Sequence, residues 1–184
     1  MAATQDLIVL DRDGVINEDS EEYIKGPDEW RPIAGSLAAI GKLTRAGFRI
    51  VIVSNQSGLG RGLFTLDDLD AINRKMSAAI AAAGGSLAGI YHCPHLPDDG
   101  CDCRKPATGL LDRAAEDLGA DFSKAPLIGD KASDVELADR VGARPILVRT
   151  GYGRQTAATL AASAAEVYDD LAAAADALIA ERNT

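Results

Sequence analysis

Short apolar runs alternate with helix-patterned stretches along this chain, and that alternation constrains the fold more than any other feature. Leu7–Leu10 is an unbroken apolar run, and residues 48–53, 89–92, 125–128 and 145–148 repeat the theme. Runs of this length read as strands buried on both faces. Between them lie helical periodicities. In residues 36–46, Ser36 is the expected N-cap, Leu37, Ile40 and Leu43 share a face, and Gly47 is the stop signal. Residues 65–83 open on Thr65 and Asp68, a capping-box pair, and carry a stripe of Leu69, Ile72, Met76 and Ile80. Gly109–Leu118 and residues 133–141 complete the set, and the Ala-rich tail from Ala157 reads as helical with a short strand near Val167. Such alternation predicts an α/β fold, a Rossmann-like parallel sheet with helices on both faces.

A chain of 184 residues suits one domain, 1–184, with no internal repeat and no linker. Only 4% of it is aromatic, so Ala, Leu, Ile and Val must build the core. The net charge of −9 argues against a nucleic-acid partner but leaves room for a small phosphorylated substrate held by a few local cations. No stretch approaches the roughly 18 to 20 apolar residues of a membrane span. Residues 1–6 have neither a basic start nor a signal-type apolar core, which predicts a cytoplasmic protein. Two connections are long for this architecture, residues 14–35 and the loop from Cys93 to about Thr108. Neither has room for a second domain, so no cap domain is expected, and long loops at a functional edge act as lids or specificity elements.

Several runs end in groups that can do chemistry. Leu7–Leu10 leads straight into Asp11 and Asp13. Strand alternation points residues two apart the same way, so the pair would form a hard-cation site at the carboxyl edge of a buried strand. Such a pair also allows one Asp to act as nucleophile and the other as acid and base. A simple turn, or the metal-binding Asp-x-Asp of a glycosyltransferase, would use the same residues. An EF-hand is excluded by Val15 and Ile16. The second run ends in Ser54, Asn55, Gln56 and Ser57, then Gly58, Gly60 and Gly62. Hydroxyls and backbone N–H groups there could cradle a phosphate. Leu63 breaks the dinucleotide fingerprint, no Walker lysine follows, and a plain loop remains the alternative.

Cys93, His95, Cys101 and Cys103 fall within eleven residues. Three thiolates and an imidazole make a closed, structural zinc set that would staple a loop lacking its own helix or strand. The competing reading is a chance cluster of free thiols. His92, ending a strand, is expected to be packed or exposed instead of a ligand. Arg104 and Lys105 follow the last zinc ligand, either as an ordinary surface pair or as a fork and a point charge for a phosphorylated substrate. A fourth run ends in Asp130 and Lys131, with Asp134 beyond as a supporting acid or a helix N-terminal one.

Taken in chain order, the strand ending in Asp-x-Asp, the strand ending in Ser-Asn, the lysine and the strand ending in Gly-Asp resemble the haloacid dehalogenase superfamily over residues 6–150. The zinc loop joined to Arg104-Lys105-Pro106 resembles that superfamily's sugar-bisphosphate phosphatases, with zinc-loop histidinol-phosphate phosphatases as near relatives. The resemblance implies a Mg²⁺-dependent phosphatase in surface-glycan precursor synthesis, acting as a monomer on a small sugar phosphate. It implies Asp11 as nucleophile and Asp13 as acid and then base, the latter needing a raised pKa. Mg²⁺ would sit on Asp11, the backbone carbonyl of Asp13 and Asp130. Ser54 and Lys105 would bind the phosphoryl group, with Asn55, Gln56 and Ser57 beside them. Arg104, Lys131 and the loop residues Asp19, Ser20, Glu21 and Glu22 would touch the rest of the substrate. Alternatives are histidinol phosphate as substrate, or a glycosyltransferase using the aspartates only as metal ligands.

Overall fold

The computed structural model describes residues 7–160 and 165–183. The reading of residues 1–6, and the part of the Ala-rich tail at 161–164, lie outside the described residues. The elements are β1 (Leu7–Leu10), α1 (Ser36–Arg45), β2 (Arg49–Asn55), α2 (Ser57–Gly60), α3 (Leu66–Ala82), β3 (Gly89–Cys93), α4 (Gly109–Leu118), β4 (Pro126–Gly129), α5 (Ala132–Val141), β5 (Arg144–Val148), α6 (Gly153–Thr159), β6 (Glu166–Tyr168) and α7 (Leu171–Arg182). The six strands form one parallel sheet in the order β3-β2-β1-β4-β5-β6. The order reverses at β1, so the crevice outside the carboxyl ends of β1 and β4 is the topological switch point.

Strand alternation sorts the core onto two faces. Ile8, Leu10, Ile50 and Ile52 pack with Ile40 and Leu43 of α1, Ile72, Met76 and Ile80 of α3, and Leu171 and Leu178 of α7. Leu7, Val9, Val51 and Val53 pack with Leu110, Leu111 and Ala114 of α4 and Leu137 and Ala138 of α5. Each fully buried Leu or Ile contributes about 1.5–3 kcal/mol of transfer free energy. The 14–35 connection is pinned into the first core by Val15, Ile16, Ile24 and Trp30.

Some local expectations change. Gly35, at φ 87°, caps α1, and Ser36 lies inside the helix with its hydroxyl donating to the Val15 carbonyl at 2.8 Å. The glycine is favoured because the chain must enter the left-handed region there. Thr65 and Asp68 do form the capping box of α3. Residues 57–60 form a one-turn helix where a loop was read. β3 runs one residue further than the periodicity indicates, which places Cys93 in the sheet opposite Asn55.

Candidate active site

β1 ends at Leu10, and the Asp11 N–H makes one more ladder bond, to the Ile128 carbonyl at 2.9 Å. The chain then turns sharply: the Arg12 carbonyl accepts from the Ile16 N–H at 2.8 Å, and Gly14 takes φ 85°. The two aspartates keep different company. The carboxylate of Asp11 accepts from the Arg12 N–H at 2.8 Å and from Lys105 Nζ at 2.9 Å. That of Asp13 accepts from Arg12 Nε (2.9 Å) and Nη2 (3.1 Å), Asn17 Nδ2 (2.9 Å) and Gln56 Nε2 (2.9 Å).

Lys105 is the hub of the floor. Its ammonium reaches Asp11, Asp134 at 2.7 Å and the Val53 carbonyl at 2.8 Å, which uses all three of its N–H directions. Burial disfavours its charge, but Asp11 and Asp134 outweigh burial and raise its pKa. Asn55 clasps the Lys105 backbone from both sides, accepting from its N–H at 2.9 Å and donating to its carbonyl at 3.2 Å. Asn55 is thus employed in holding Lys105. Ser54 and Ser57 are buried beside this floor, and Ser54 Oγ lies 3.4 Å from Gln56 Nε2.

Asp130 sits fully buried at the end of β4 and is braced by residues the sequence reading missed. Tyr152 N–H donates to its Oδ2 at 2.8 Å, Thr156 Oγ1 donates to its carbonyl at 2.8 Å, and Thr150 Oγ1 donates to the Gly14 carbonyl at 2.6 Å. A Cβ at Gly14 or Gly151 would collide with the Asp130 carboxylate. The Thr-Gly step just after β5 was the only signal for this brace. Asp11, Asp130 and Asp134 bring carboxylate oxygens within 4.8 Å of one another. Asp134 is occupied, Oδ1 by Lys105 and Oδ2 by the Lys131 N–H at 3.1 Å, where it also completes the capping of α5. Asp130 Oδ1 is buried and has no hydrogen-bond partner. A buried carboxyl oxygen with no hydrogen bond and one long contact, 3.9 Å to Lys131 Nζ, beside a second carboxylate fits a hard divalent cation. Burial, offset in part by Lys105, pushes Asp11 up to about 6, and burial followed by repulsion from Asp11 pushes Asp130 up to about 8.

Asp13 behaves in the opposite way to expectation. Burial pushes its pKa up, but the Arg12 charge and the hydrogen bonds from Arg12, Asn17 and Gln56 together hold it below the ordinary value. Arg12, 1% exposed, was read only as the residue between two acids.

The cysteine–histidine cluster assembles. Sγ atoms of Cys93, Cys101 and Cys103 lie 3.1, 3.6 and 3.7 Å apart, and His95 Nδ1 lies 3.5 Å from Cys93 and 3.2 Å from Cys103. A tetrahedral site with zinc–sulfur bonds of about 2.3 Å has edges of roughly 3.5–3.8 Å, so the donor set fits zinc. Burial pushes the Cys93 thiol up to about 12. At Cys101, backbone N–H groups of Cys103 and Arg104 outweigh burial and bring it to about 7. His92 stays outside the cluster, half-buried. The loop is tied to the second motif by Gln56 N–H to Cys93 O at 2.7 Å and Gly60 N–H to Pro94 O at 3.0 Å.

Arg104 and Lys131 sit at the rim. Arg104 makes one long contact, 3.4 Å to the His95 carbonyl. Lys131 pairs with Asp19 at 2.7 Å, lies over the Tyr152 ring at 5.1 Å, and has a raised pKa because neighbouring carboxylates outweigh its burial. Ser20, Glu21 and Glu22 turn on themselves at the surface: Ser20 N–H donates to Asp19 and Ser20 Oγ accepts from the Glu22 N–H. Only Asp19 of this loop reaches the floor side. A cavity of about 400 Å³ opens beside Lys131, Tyr152 and Gln155.

A HAD-hydrolase-like family profile matches residues 102–174. The D-glycero-beta-D-manno-heptose-1,7-bisphosphate 7-phosphatase of Pseudomonas aeruginosa is 44% identical over 96% of this chain and 99% of its own. The enzyme of the same name from Bordetella bronchiseptica is 47% identical over 95% of this chain and 98% of its own. A crystal structure of D,D-heptose 1,7-bisphosphate phosphatase from B. bronchiseptica, complexed with magnesium and phosphate, superposes with a TM-score of 0.91 at 46% identity, covering 95% of this chain and 98% of that one. With that fold, that identity and near-complete mutual coverage, the chain belongs to the heptose-bisphosphate phosphatase family of HAD-like hydrolases.

Proposed function

We propose that this protein hydrolyses the 7-phosphate of D-glycero-β-D-manno-heptose 1,7-bisphosphate, in the synthesis of precursors for lipopolysaccharide or another surface glycan. The observation that carries the reading is the meeting of Asp11, Lys105, Asp134 and an Asp130 oxygen without a hydrogen bond at the switch point of the sheet. The named relatives supply the substrate.

The proposed chemistry uses groups already in position. Asp11 attacks phosphorus as a carboxylate, the bond to the sugar oxygen breaks, and an aspartyl-phosphate forms. Asp13 is ionised in the free site, so it must take up a proton as the phosphate monoester binds; it gives that proton to the departing oxygen and then takes one from the water that hydrolyses the aspartyl-phosphate. Asp11 and Asp130, with the backbone carbonyl of Asp13, would hold Mg²⁺, which supplies charge neutralisation at the phosphoryl oxygens. Lys105 holds Asp11 in place; contacting the phosphoryl group itself requires it to exchange one of its three present partners. Ser54 Oγ and the backbone N–H of Ser57 are the remaining donors, since the Gln56 N–H is held by the Cys93 carbonyl. Arg104, with its one long contact to the His95 carbonyl, is a cation available for the non-reacting part of the substrate, as is Lys131 at the rim. Cys93, His95, Cys101 and Cys103 would hold a structural zinc that fixes where Arg104 and Lys105 point. The reading includes a monomer working as one domain, 1–184, in the cytoplasm.

The test is ³¹P NMR of the bisphosphate incubated with protein and Mg²⁺. Loss of the C7 phosphate signal with the C1 phosphate retained is expected. Loss of the C1 phosphate, or no change at catalytic protein concentrations, overturns the proposal.

A further inference from the structure

Arg12 is among the largest fully buried side chains of the protein, and it carries a charge. Its guanidinium makes three contacts: Nε to Asp13 Oδ1 at 2.9 Å, Nη2 to Asp13 Oδ2 at 3.1 Å, and Nη2 to Gln56 Oε1 at 3.1 Å. Its third nitrogen, Nη1, is buried without a partner. A guanidinium kept for stability would be expected to satisfy all of its nitrogens, because a buried unmade hydrogen bond costs free energy. This one is aligned on two residues only, and both belong to the active-site floor.

The contacts also fix Gln56. Arginine only donates and a carboxylate only accepts, so Oε1 must face Arg12 and Nε2 must face Asp13. With Asn17 as the fourth donor, Asp13 has two hydrogen bonds on each oxygen, and its lone-pair directions are filled. A proton can pass between Asp13 and a substrate oxygen only after one of these donors yields. Arg12 cannot: it is charged, forked and 1% exposed. Asn17 is fully buried and holds the turn through the Glu18 carbonyl at 2.9 Å. Gln56 can, because Ser54 Oγ already lies 3.4 Å from its Nε2 as an alternative acceptor.

We infer that Arg12 is a positioning residue for leaving-group protonation: it anchors Asp13 and aims the Gln56 amide, which yields the Oδ2 site to the departing sugar oxygen. The inference rests on the proposed role of Asp13. In the step, Gln56 Nε2 turns to Ser54 Oγ and frees an Oδ2 lone pair, which takes the proton of the bound phosphate monoester monoanion; the electron pair of the broken P–O bond then stays on the sugar oxygen, which takes that proton from Asp13.

The test compares two leaving groups. An alkyl sugar phosphate expels a strongly basic alkoxide and needs the proton; p-nitrophenyl phosphate expels a weakly basic phenolate and does not. Both go through the same attack by Asp11, and kcat/KM reports that first step. The ratio of kcat/KM on the heptose bisphosphate to that on p-nitrophenyl phosphate is measured for wild type, Asp13→Asn, Arg12→Gln, Arg12→Lys and Gln56→Leu, with each variant's melting curve. Asp13→Asn is expected to lower the ratio by about a hundredfold, within the usual range for lost general-acid help. Arg12→Gln should lower it by about tenfold or more, and Arg12→Lys, which keeps the charge but not the fork, should lower it too. A general packing defect would lower both rates together and leave the ratio unmoved. If Asp13→Asn lowers the ratio and the folded Arg12 variants do not, the inference is wrong and the role of Asp13 stands. If Asp13→Asn itself leaves the ratio unchanged, the acid role fails and the inference with it. Should Arg12→Gln not fold, Arg12→Lys decides on the same criterion, and Gln56→Leu, which leaves Oδ2 open, should lower the ratio less than Arg12→Lys.

Discussion

Lys105 lies between Asp11 and Asp134 and is 5% exposed, so the site depends on a buried cation shared by two anions. Removing one member of such a set strands the others. Lys105→Met should destabilise the metal-free protein by about 3–5 kcal/mol in urea unfolding; a change within error would show the pair contributes nothing to the fold. Asp11→Asn keeps the shape but not the nucleophile, so folding should survive while phosphate release falls by at least about 10³-fold. The carboxylates also link stability to pH. Asp11 and Asp130 rise from an ordinary value of 3.8 to about 6 and about 8. An acid whose folded pKa is raised holds its proton after the unfolded chain has released its own. Metal-free stability should therefore fall as pH rises between about 4 and 8. Adding Mg²⁺ to EDTA-treated protein should raise Tm more at pH 8 than at pH 5.5, and an equal rise at both would contradict this account. Asp11, Ser54, Lys105 and Asp130 were legible because each follows a buried run or a stapled loop. Arg12 was not, and Gln56 was legible only as a neighbour of the phosphate site, not as a partner of Asp13. Their role depends on a turn that abandons strand alternation after Leu10, and no local periodicity reports where a guanidinium goes once the strand has ended.

The zinc loop carries no helix or strand between Cys93 and Gly109, yet it positions Lys105. Its order depends on the Asn55 clasp, two backbone bonds to the second motif and, in the proposed function, zinc on the cysteine–histidine cluster. Cys103→Ser should lose the bound zinc, about one equivalent per chain by metal analysis, and lower kcat/KM together with Tm. Full activity in zinc-free folded protein would show the cluster is dispensable. At the other edge, Arg144 of β5 grips Glu166 of β6 at 2.7 Å and Glu181 of α7 at 2.6 Å. The long helices and the parallel strands were readable because periodicity and caps agree there, as at Thr65 and Asp68. α2 escaped because four residues with two glycines offer no period to detect. The N-cap of α1 was misplaced because a left-handed glycine did the work assigned to a serine hydroxyl.

At the scale of the whole molecule, the sheet does one thing for function: it brings the ends of β1, β2 and β4 to one crevice. Four stretches far apart in sequence thereby become one floor, from Asp11 through Ser54 and Lys105 to Asp130. The loops over that crevice differ in firmness. Residues 14–35 are pinned by Trp30 and Ile24, and among Asp19, Ser20, Glu21 and Glu22 only Asp19 engages the floor side, through Lys131. In the proposed function, selection of the substrate falls to Arg104, Lys131 and the loop that carries the first of them. The most direct test is a side-by-side measurement, with Mg²⁺, of kcat/KM for phosphate release from D-glycero-β-D-manno-heptose 1,7-bisphosphate and from histidinol phosphate. The account predicts a preference for the bisphosphate of at least about a hundredfold, or roughly 2.7 kcal/mol of transition-state discrimination. Equal or greater kcat/KM on histidinol phosphate would contradict it.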